Sequence, residues 1–433
     1  MSESLTNWDN YLAVASLSDV GMRRSNNQDN MSIMLAGSMD QWQRKGHVFV
    51  VADGMGAHAA GELASKLAIE HVPHLYSKYN DASAPEELRK SVVGANAEIH
   101  RRGQANEEFY NMGTTCCAMT LLPQGAVIAH IGDSRVYRLS KNRLEQLTFD
   151  HSLVWEMKAA GQLTKAEEKS GKVPRNVITR SLGPYPDCKV DLEGPFPLAP
   201  NDTFLMCSDG LTGVVSDPEI ASILANMSPD EAVRVLVDLA NLRGGPDNIT
   251  VIVVKVTHPK MATASDAPPI VLNSKKSKFE IPVFVWALFG VSLVIALVFL
   301  LSMNMVTAAL PSVIAIGSGI YILVQVLRAR SSGQTMTKTQ RFGKAPYTRV
   351  ACAPPPKFTE QLAGIWSQLV TAAAKNDWNV DRPQLDSMSK EAEQLAQKND
   401  FPSAIRAYGR AISQLMESLR NHTDDDSSSA LDL

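Results

Sequence analysis

The sequence predicts an α+β chain in which antiparallel sheets carry attached helices, followed by an apolar helical pair and a small helical C-terminal region. Three observations point there. Short β-rich runs alternate with helical stretches through the first 256 residues. Several of those runs are joined only by tight turns, which forces antiparallel neighbours because parallel strands need a long crossover. Beyond them lie two uncharged stretches of about twenty residues each.

The β-rich runs are His47 to Ala52, Thr114 to Leu121, Ala126 to Ile131, Val136 to Leu139, Thr203 to Cys207 and Ile249 to Val256. Pro123-Gln124-Gly125 and Gly132-Asp133 are the tight turns. Helical patterns cover Ala59 to Ser77, Ala84 to Gly103 and Pro229 to Leu242. The chain has 433 residues, 45% hydrophobic and 20% charged, enough for two or three domains with a sizeable core. A net charge of -3 gives no global attraction to nucleic acid, which is not an expected partner. The five cysteines have no zinc-ligand spacing and suggest no disulfide framework. The polar N-terminus lacks an apolar signal core, so secretion is not expected.

The chain reads as six regions: a globular domain over 10–256, a linker over 257–280, a transmembrane helical hairpin over 281–327, a flexible tether over 328–356, a helical region over 357–420 and a disordered acidic tail over 421–433. The apolar runs are Ile281 to Met303 and Val306 to Leu327. Lys275, Lys276 and Lys278 precede the pair, and Arg328 and Arg330 follow it. Excess positive charge stays on the cytoplasmic side, so both flanks are expected there, at an inner or cytoplasmic membrane, with the bilayer as a partner. In the helical region Phe401, Ala404, Ile405, Tyr408, Ala411, Ile412, Leu415 and Leu419 recur at helical spacing after a turn at Asn399-Asp400. That pattern fits either one tetratricopeptide-like helix pair or a small bundle, and a lone pair cannot bury its own face.

One pattern repeats along the first domain: an aspartate at the tip of an apolar strand. It occurs at Asp53-Gly54, Gly132-Asp133, Asp209-Gly210 and, just before a strand, at Asp247-Asn248. A single Asp-Gly is an ordinary turn; four with similar strand contexts suggest one pocket. Carboxylates gathered that closely need protons or cations between them. Oxygen ligands without cysteine or clustered histidine favour a hard ion, magnesium or manganese. Two such ions could activate a water for in-line attack at phosphorus. A cysteine nucleophile would need an arginine six positions on, and none of the five has one.

Residues 10–256 resemble the metal-dependent protein phosphatase family, type 2C, in its bacterial form. The resemblance rests on Gly21-Met22-Arg23-Arg24-Ser25-Asn26-Asn27-Gln28-Asp29 and Val51-Ala52-Asp53-Gly54-Met55-Gly56-Ala57-His58, followed in family order by four more motifs. These are Gly113-Thr114-Thr115, Gly132-Asp133-Ser134-Arg135, Ser208-Asp209-Gly210 and Asp247-Asn248-Ile249-Thr250. It implies a four-layer αββα sandwich and a protein serine/threonine phosphatase, which the apolar pair would hold at the cytoplasmic face of a membrane. Asp53 would bridge two ions with the Gly54 carbonyl on one, and Asp209 and Asp247 would hold the second. Asp133, with Asp209, would match a third site. Arg24 aligns with the arginine that grips the substrate phosphate, where its fork suits two oxygens at once. Asp29 would hold water, and Asn248 would support the site. His58 is either the general acid or an orienting group for the helix at Ala59. Asp150-His151-Ser152 through Gly183 resembles the family's flap. His130 and Ala57 depart from the family pattern without removing a ligand. Phosphorylated proteins, and a serine/threonine kinase or its substrates, are the implied partners; a catalytically weak docking module is the alternative.

Overall fold

The computed structural model describes residues 8–57, 59–164, 167, 173–174, 176–265, 283–302, 309–321, 341–353, 355–375 and 381–429. They fall into two compact units: Met1–Pro268 together with Arg341–Leu433, and Pro269–Gln340.

The first unit is built on two antiparallel sheets. One has the strand order β1 (Leu12–Asp19), β11 (Ile249–Val256), β10 (Thr203–Cys207), β7 (Arg135–Ser140), β8 (Arg143–Gln146) and β12 (Thr348–Ala351). The other runs β2 (Asp29–Met34), β3 (His47–Met55), β5 (Cys116–Leu122), β6 (Gly125–Ile131) and β9 (Asp191–Phe196), with the two-residue β4 (Gly113–Thr114) beside β3. Alternation along each strand sorts its side chains between layers. On β11, Ile252 and Val254 enter the core between the sheets with Phe204, Met206, Phe49, Met119 and Ile128. Val251 and Val253 point the other way, against α6 (Asp217–Asn226) and α7 (Pro229–Leu242). The second sheet carries α2 (Ala59–Lys78) and α3 (Ala84–Ala105) on its outer face. Two sheets flanked by helices are the layers the sequence suggested. A short helix α1 (Met39–Lys45) precedes β3, and α4 (Leu153–Ala159) and α5 (Asp209–Thr212) lie beside the strand tips.

The regions around this body differ from the sequence expectation. The domain continues past Val256: Met261 is buried, and Thr263 exchanges hydrogen bonds with Leu198 at 3.0 and 2.9 Å. Within the expected tether, 341–353 lies on the sheet edge. There β12 pairs with β8, from Thr348 opposite Gln146 to Ala351 opposite Arg143. Glu193 accepts from the Ala345 amide at 3.1 Å and from the Tyr347 hydroxyl. An open strand edge offers unpaired backbone groups that a following segment can satisfy.

The helical region forms α9 (Pro355–Lys375), α10 (Arg382–Gln397) and α11 (Phe401–Ser429), so the helix continues into the expected acidic tail. The hairpin of α10 and α11 turns at Asn399, whose φ of 61° is the left-handed conformation asparagine tolerates. Its apolar face is covered by the two-sheet body. Ile405, Tyr408, Ile412 and Leu415 share one core with Ile220, Leu224, Val235 and Leu239. Arg420 donates at 2.8 Å to Asp238, a fully buried carboxylate of α7. Arg410 pairs with Glu231 on the same helix.

In the second unit α8 (Val283–Leu301) is 19 residues long and carries no charge. At 1.5 Å per residue it measures about 28 Å, against about 30 Å of bilayer hydrocarbon. Among the described residues no helix is long and apolar enough to cross a membrane. The apolar runs of the sequence extend past the described residues, and 322–340 lies outside them.

The shared core gives a direct expectation. Leu415→Ala, at a fully buried position, lowers stability by about 2–5 kcal/mol. Deleting 341–433 uncovers the same face and lowers the melting temperature further. Thermal denaturation followed by circular dichroism checks both; an unchanged midpoint in either would show that the helices are not part of this fold.

Candidate active site

The candidate site assembles at one end of both sheets. The register of β2 against β3 sets Asp29 directly opposite Asp53. Asp133 follows β6 after Gly132, whose φ of 108° and closeness to Thr115 leave no room for a side chain. Asp209 opens α5 just past β10 with Ser208 between them, and Asp247 lies just ahead of β11. The two sheets are stitched together here. Ser208, from the β10 tip, donates to Asp29 Oδ2 at 2.6 Å, and the Thr250 amide of β11 donates to Ser208 Oγ at 3.0 Å.

Five carboxylates thus face one another, and the proton affinities of Asp29, Asp53, Asp133 and Asp209 record it. Burial, and then the neighbouring Asp29, Asp209, Asp133 and Asp247, hold the Asp53 carboxyl well above the usual range. Burial and Asp209 push Asp133 up to about 8. Burial raises Asp29 to about 7 against the hydrogen bonds from Ser208 and Thr250. Asp209 is raised by burial and by Asp247. Asp29 Oδ1, Asp133 Oδ1 and Asp209 Oδ1 are buried without a hydrogen-bond partner. Such an oxygen costs about 1–3 kcal/mol or more when it carries charge, so three in one cluster fit a site meant for cations. Among the described residues no group of three or more His, Cys, Asp or Glu side chains meets the spacing of a site that could hold a metal ion. The donors available here are all oxygens, the kind a hard ion such as magnesium takes one or two at a time while keeping several waters.

The supporting groups are hydroxyls and one amide. Thr114 Oγ1 and the Thr115 amide both donate to the Asp53 carbonyl at 2.9 Å, and Thr115 Oγ1 accepts from the Asp53 amide at 2.9 Å. Thr115 also bonds Ser134 at 2.7 Å, linking the β3 and β6 tips. Sequence reasoning assigned these threonines and Ser208 no role; the signal was the hydroxyls in the Gly113-Thr114-Thr115 and Ser208-Asp209-Gly210 motifs. Gly54 packs so closely that a Cβ there would lie 2.1 Å from the Gly61 carbonyl oxygen. Asn248 accepts from the Gln28 amide at 2.9 Å and donates to the Val20 and Asn26 carbonyls at 2.9 and 3.0 Å. It thereby anchors the loop that carries Arg24. Arg24 is half-exposed at the rim, its Nη2 2.8 Å from Asp247 Oδ2. His58 lies outside the described residues.

Beside the carboxylates a cleft of ≈ 340 Å³ is lined by Asp133, Asp209, Arg135, Asp150, Trp155 and Asn176, among others. Its far wall belongs to the flap-like segment. His151 is fully buried and tied to Gly132 in both directions, at 2.8 and 3.1 Å, and to Asp191 at 3.1 Å. It anchors the segment to the β6 tip. His130 is likewise bonded, to Cys117 and the Phe149 carbonyl, and burial lowers it to about 3.

Comparison with known proteins places this geometry. Residues 23–238 match the family model for protein phosphatase 2C. The chain is 36% identical over 242 residues to the serine/threonine phosphatase stp of Listeria welshimeri, covering 55% of this chain and 93% of that protein. It is 36% identical over 251 residues to the protein phosphatase PhpP of Streptococcus pneumoniae, 57% of this chain and 98% of that one. The crystal structure of the Mycobacterium tuberculosis serine/threonine phosphatase PstP/Ppp superposes with a TM-score of 0.51 at 32% identity, covering 57% of this chain and all of that one. The matches span nearly the whole of those relatives, and the chain belongs to the protein phosphatase 2C family.

Proposed function

We propose that this chain hydrolyses phosphoserine and phosphothreonine in proteins, with magnesium or manganese in its carboxylate cluster, at the cytoplasmic face of a membrane. The activity class follows from family membership, since relatives named as serine/threonine phosphatases match nearly their full length. The observation that carries the mechanism is the set of unpartnered oxygens on Asp29, Asp133 and Asp209 within one buried acidic cluster.

Asp53, with the Gly54 carbonyl, and Asp209 with Asp247 would hold two ions; Asp133 and Asp209 would hold a third. When bound, these ions supply positive charge to the phosphate and lower the pKa of an attacking water. The remaining work falls to the chain's own groups. Arg24, at the rim beside Asp247, turns its fork to the phosphate oxygens and orients the phosphorus. Asp29, fixed by Ser208, directs the water through a hydrogen bond. Thr114 and Thr115 fix the Asp53 backbone, so the carboxylates are pre-set before substrate arrives. The substrates are phosphorylated proteins, with a serine/threonine kinase or its targets as natural candidates.

The membrane reading rests on sequence. Ile281 to Met303 and Val306 to Leu327 are runs of 23 and 22 residues without charge, bracketed by lysines and arginines. Anchoring by such a hairpin would raise the enzyme's concentration near membrane-bound phosphoproteins.

Three outcomes are expected. Manganese or magnesium supports hydrolysis of p-nitrophenyl phosphate and a phosphothreonine peptide by the full chain, chelator abolishes both, and Asp209→Asn lowers kcat by about a hundredfold or more; turnover that survives chelation would refute the mechanism. The metal-free protein loses stability as pH rises. The unfolded aspartates titrate near 3.8, whereas folded Asp29 and Asp133 hold protons to about 7 and about 8. The folded state therefore binds more protons across that window, and its stability falls toward pH 8. The chelated protein should melt lower at pH 8 than at pH 6, and saturating magnesium should remove that difference; equal midpoints in chelator would contradict it. Finally, the full chain should sediment with membranes and resist alkaline carbonate extraction, while a chain lacking 281–327 should not. Release of the intact chain by carbonate would dispose of the hairpin.

A further inference from the structure

Arg135 lines the cleft beside Asp133 and Asp209, yet its side chain is largely buried and committed elsewhere. Its Nε and Nη2 donate to the Asp150 carboxylate at 2.7–3.0 Å, and Nη1 donates to the Tyr137 hydroxyl at 2.7 Å. The Trp155 ring of the flap-like segment lies 5.7 Å from the guanidinium carbon. Tyr137 is fully buried in the core behind β7, where a phenylalanine would pack as well. Its hydroxyl therefore needs another explanation. It donates at 2.9 Å to Asp217 Oδ1, on the first residue of α6. The next residue, Pro218, offers its carbonyl to the Ala353 amide at 3.1 Å. One bonded path thus runs from the C-terminal strap, through the start of α6, to the two side chains that shape the cleft wall.

We infer that Tyr137 and Asp217 are positioning residues for the dephosphorylation of proteins: they fix Arg135, which holds Asp150 and Trp155 as the wall against which the residues flanking the phosphorylated side chain rest. The Ala353 contact makes the C-terminal region part of the same support. This rests on the phosphoprotein reading above. The wall lies beyond the carboxylate cluster, so a small aryl phosphate reaches the ions without touching it, whereas a peptide meets both. Loss of the tyrosine hydroxyl leaves the Arg135 Nη1 and the Asp217 carboxylate each one bond short, and the guanidinium is free to tilt.

The test uses the full chain with manganese and two substrates, p-nitrophenyl phosphate and a phosphothreonine peptide. Tyr137→Phe and Asp217→Ala each raise KM for the peptide by about three- to tenfold while both constants for the aryl phosphate stay within about twofold. Asp217→Asn, which keeps an acceptor oxygen, restores wild-type peptide kinetics. Combining Tyr137→Phe with Asp217→Ala adds little to either alone, because both cut the same link. Ala353→Pro, which removes the donor N–H at a position already followed by Pro354, shifts peptide KM in the same direction and provides an independent probe should a core variant fold poorly. Equal losses on both substrates would reduce the path to a stability element and overturn the inference, as would unchanged peptide KM in variants with wild-type melting temperatures. A wild-type chain that turns over the aryl phosphate but not the peptide would defeat the phosphoprotein reading itself, and this inference with it.

Discussion

Five aspartates, four of them largely enclosed and Asp247 at the rim, face one another at the tips of the two sheets, and the rest of the molecule answers to that repulsion. Burial alone raises the proton affinity of such groups, and each neighbouring carboxylate raises it further. In the central case, Asp53, four other aspartates contribute. A cluster of this kind persists only if the surrounding structure over-determines it. The bonds from Thr114, Thr115 and Ser208, the pairing of Asp29 with Asp53, and the close approach of Gly54 to Gly61 all serve that end. On the reading proposed above, divalent cations would relieve that repulsion, and their binding would then stabilise this end of the sandwich.

The C-terminal region belongs to the same body. An isolated α10–α11 hairpin would leave an apolar stripe in water, and here that stripe lies on α6 and α7. Asp238 makes the dependence plain: a carboxylate of α7 with no exposure is met by Arg420 of α11. The strap of 341–353 adds β12 to the free edge of β8 and meets the start of α6. The relatives compared here match about half of this chain, so these helices are a property of this protein beyond the shared domain, set against the face opposite the other sheet.

What could be read from the sequence follows burial. The interior strands β3, β5, β6, β7, β10 and β11 are covered on both faces and stand out as apolar runs. Five strands did not stand out, β1, β2, β8, β9 and β12, and four of them are the four sheet edges. One face of an edge strand meets water or a loop, so its pattern is mixed; on β1 only Leu12 and Ala15 are buried. The short β8 sits next to such an edge. In the expected tether, Thr348-Arg349-Val350-Ala351 becomes a strand only because β8 offers it unpaired backbone groups, and no property of those four residues announces that partner.

The sequence by itself determined the acidic motifs, the tight turns that make the sheets antiparallel, and the helical spacing of the last helices, because these depend on residue type and local period. Only the tertiary structure decided that Asp29 faces Asp53, that Asn248 serves as a loop anchor, and that a buried tyrosine joins Arg135 to Asp217. Each is a contact between residues distant in the chain, fixed by strand register and by which face a neighbouring layer covers. Periodicity states that a face must be buried; it carries no information about what will bury it.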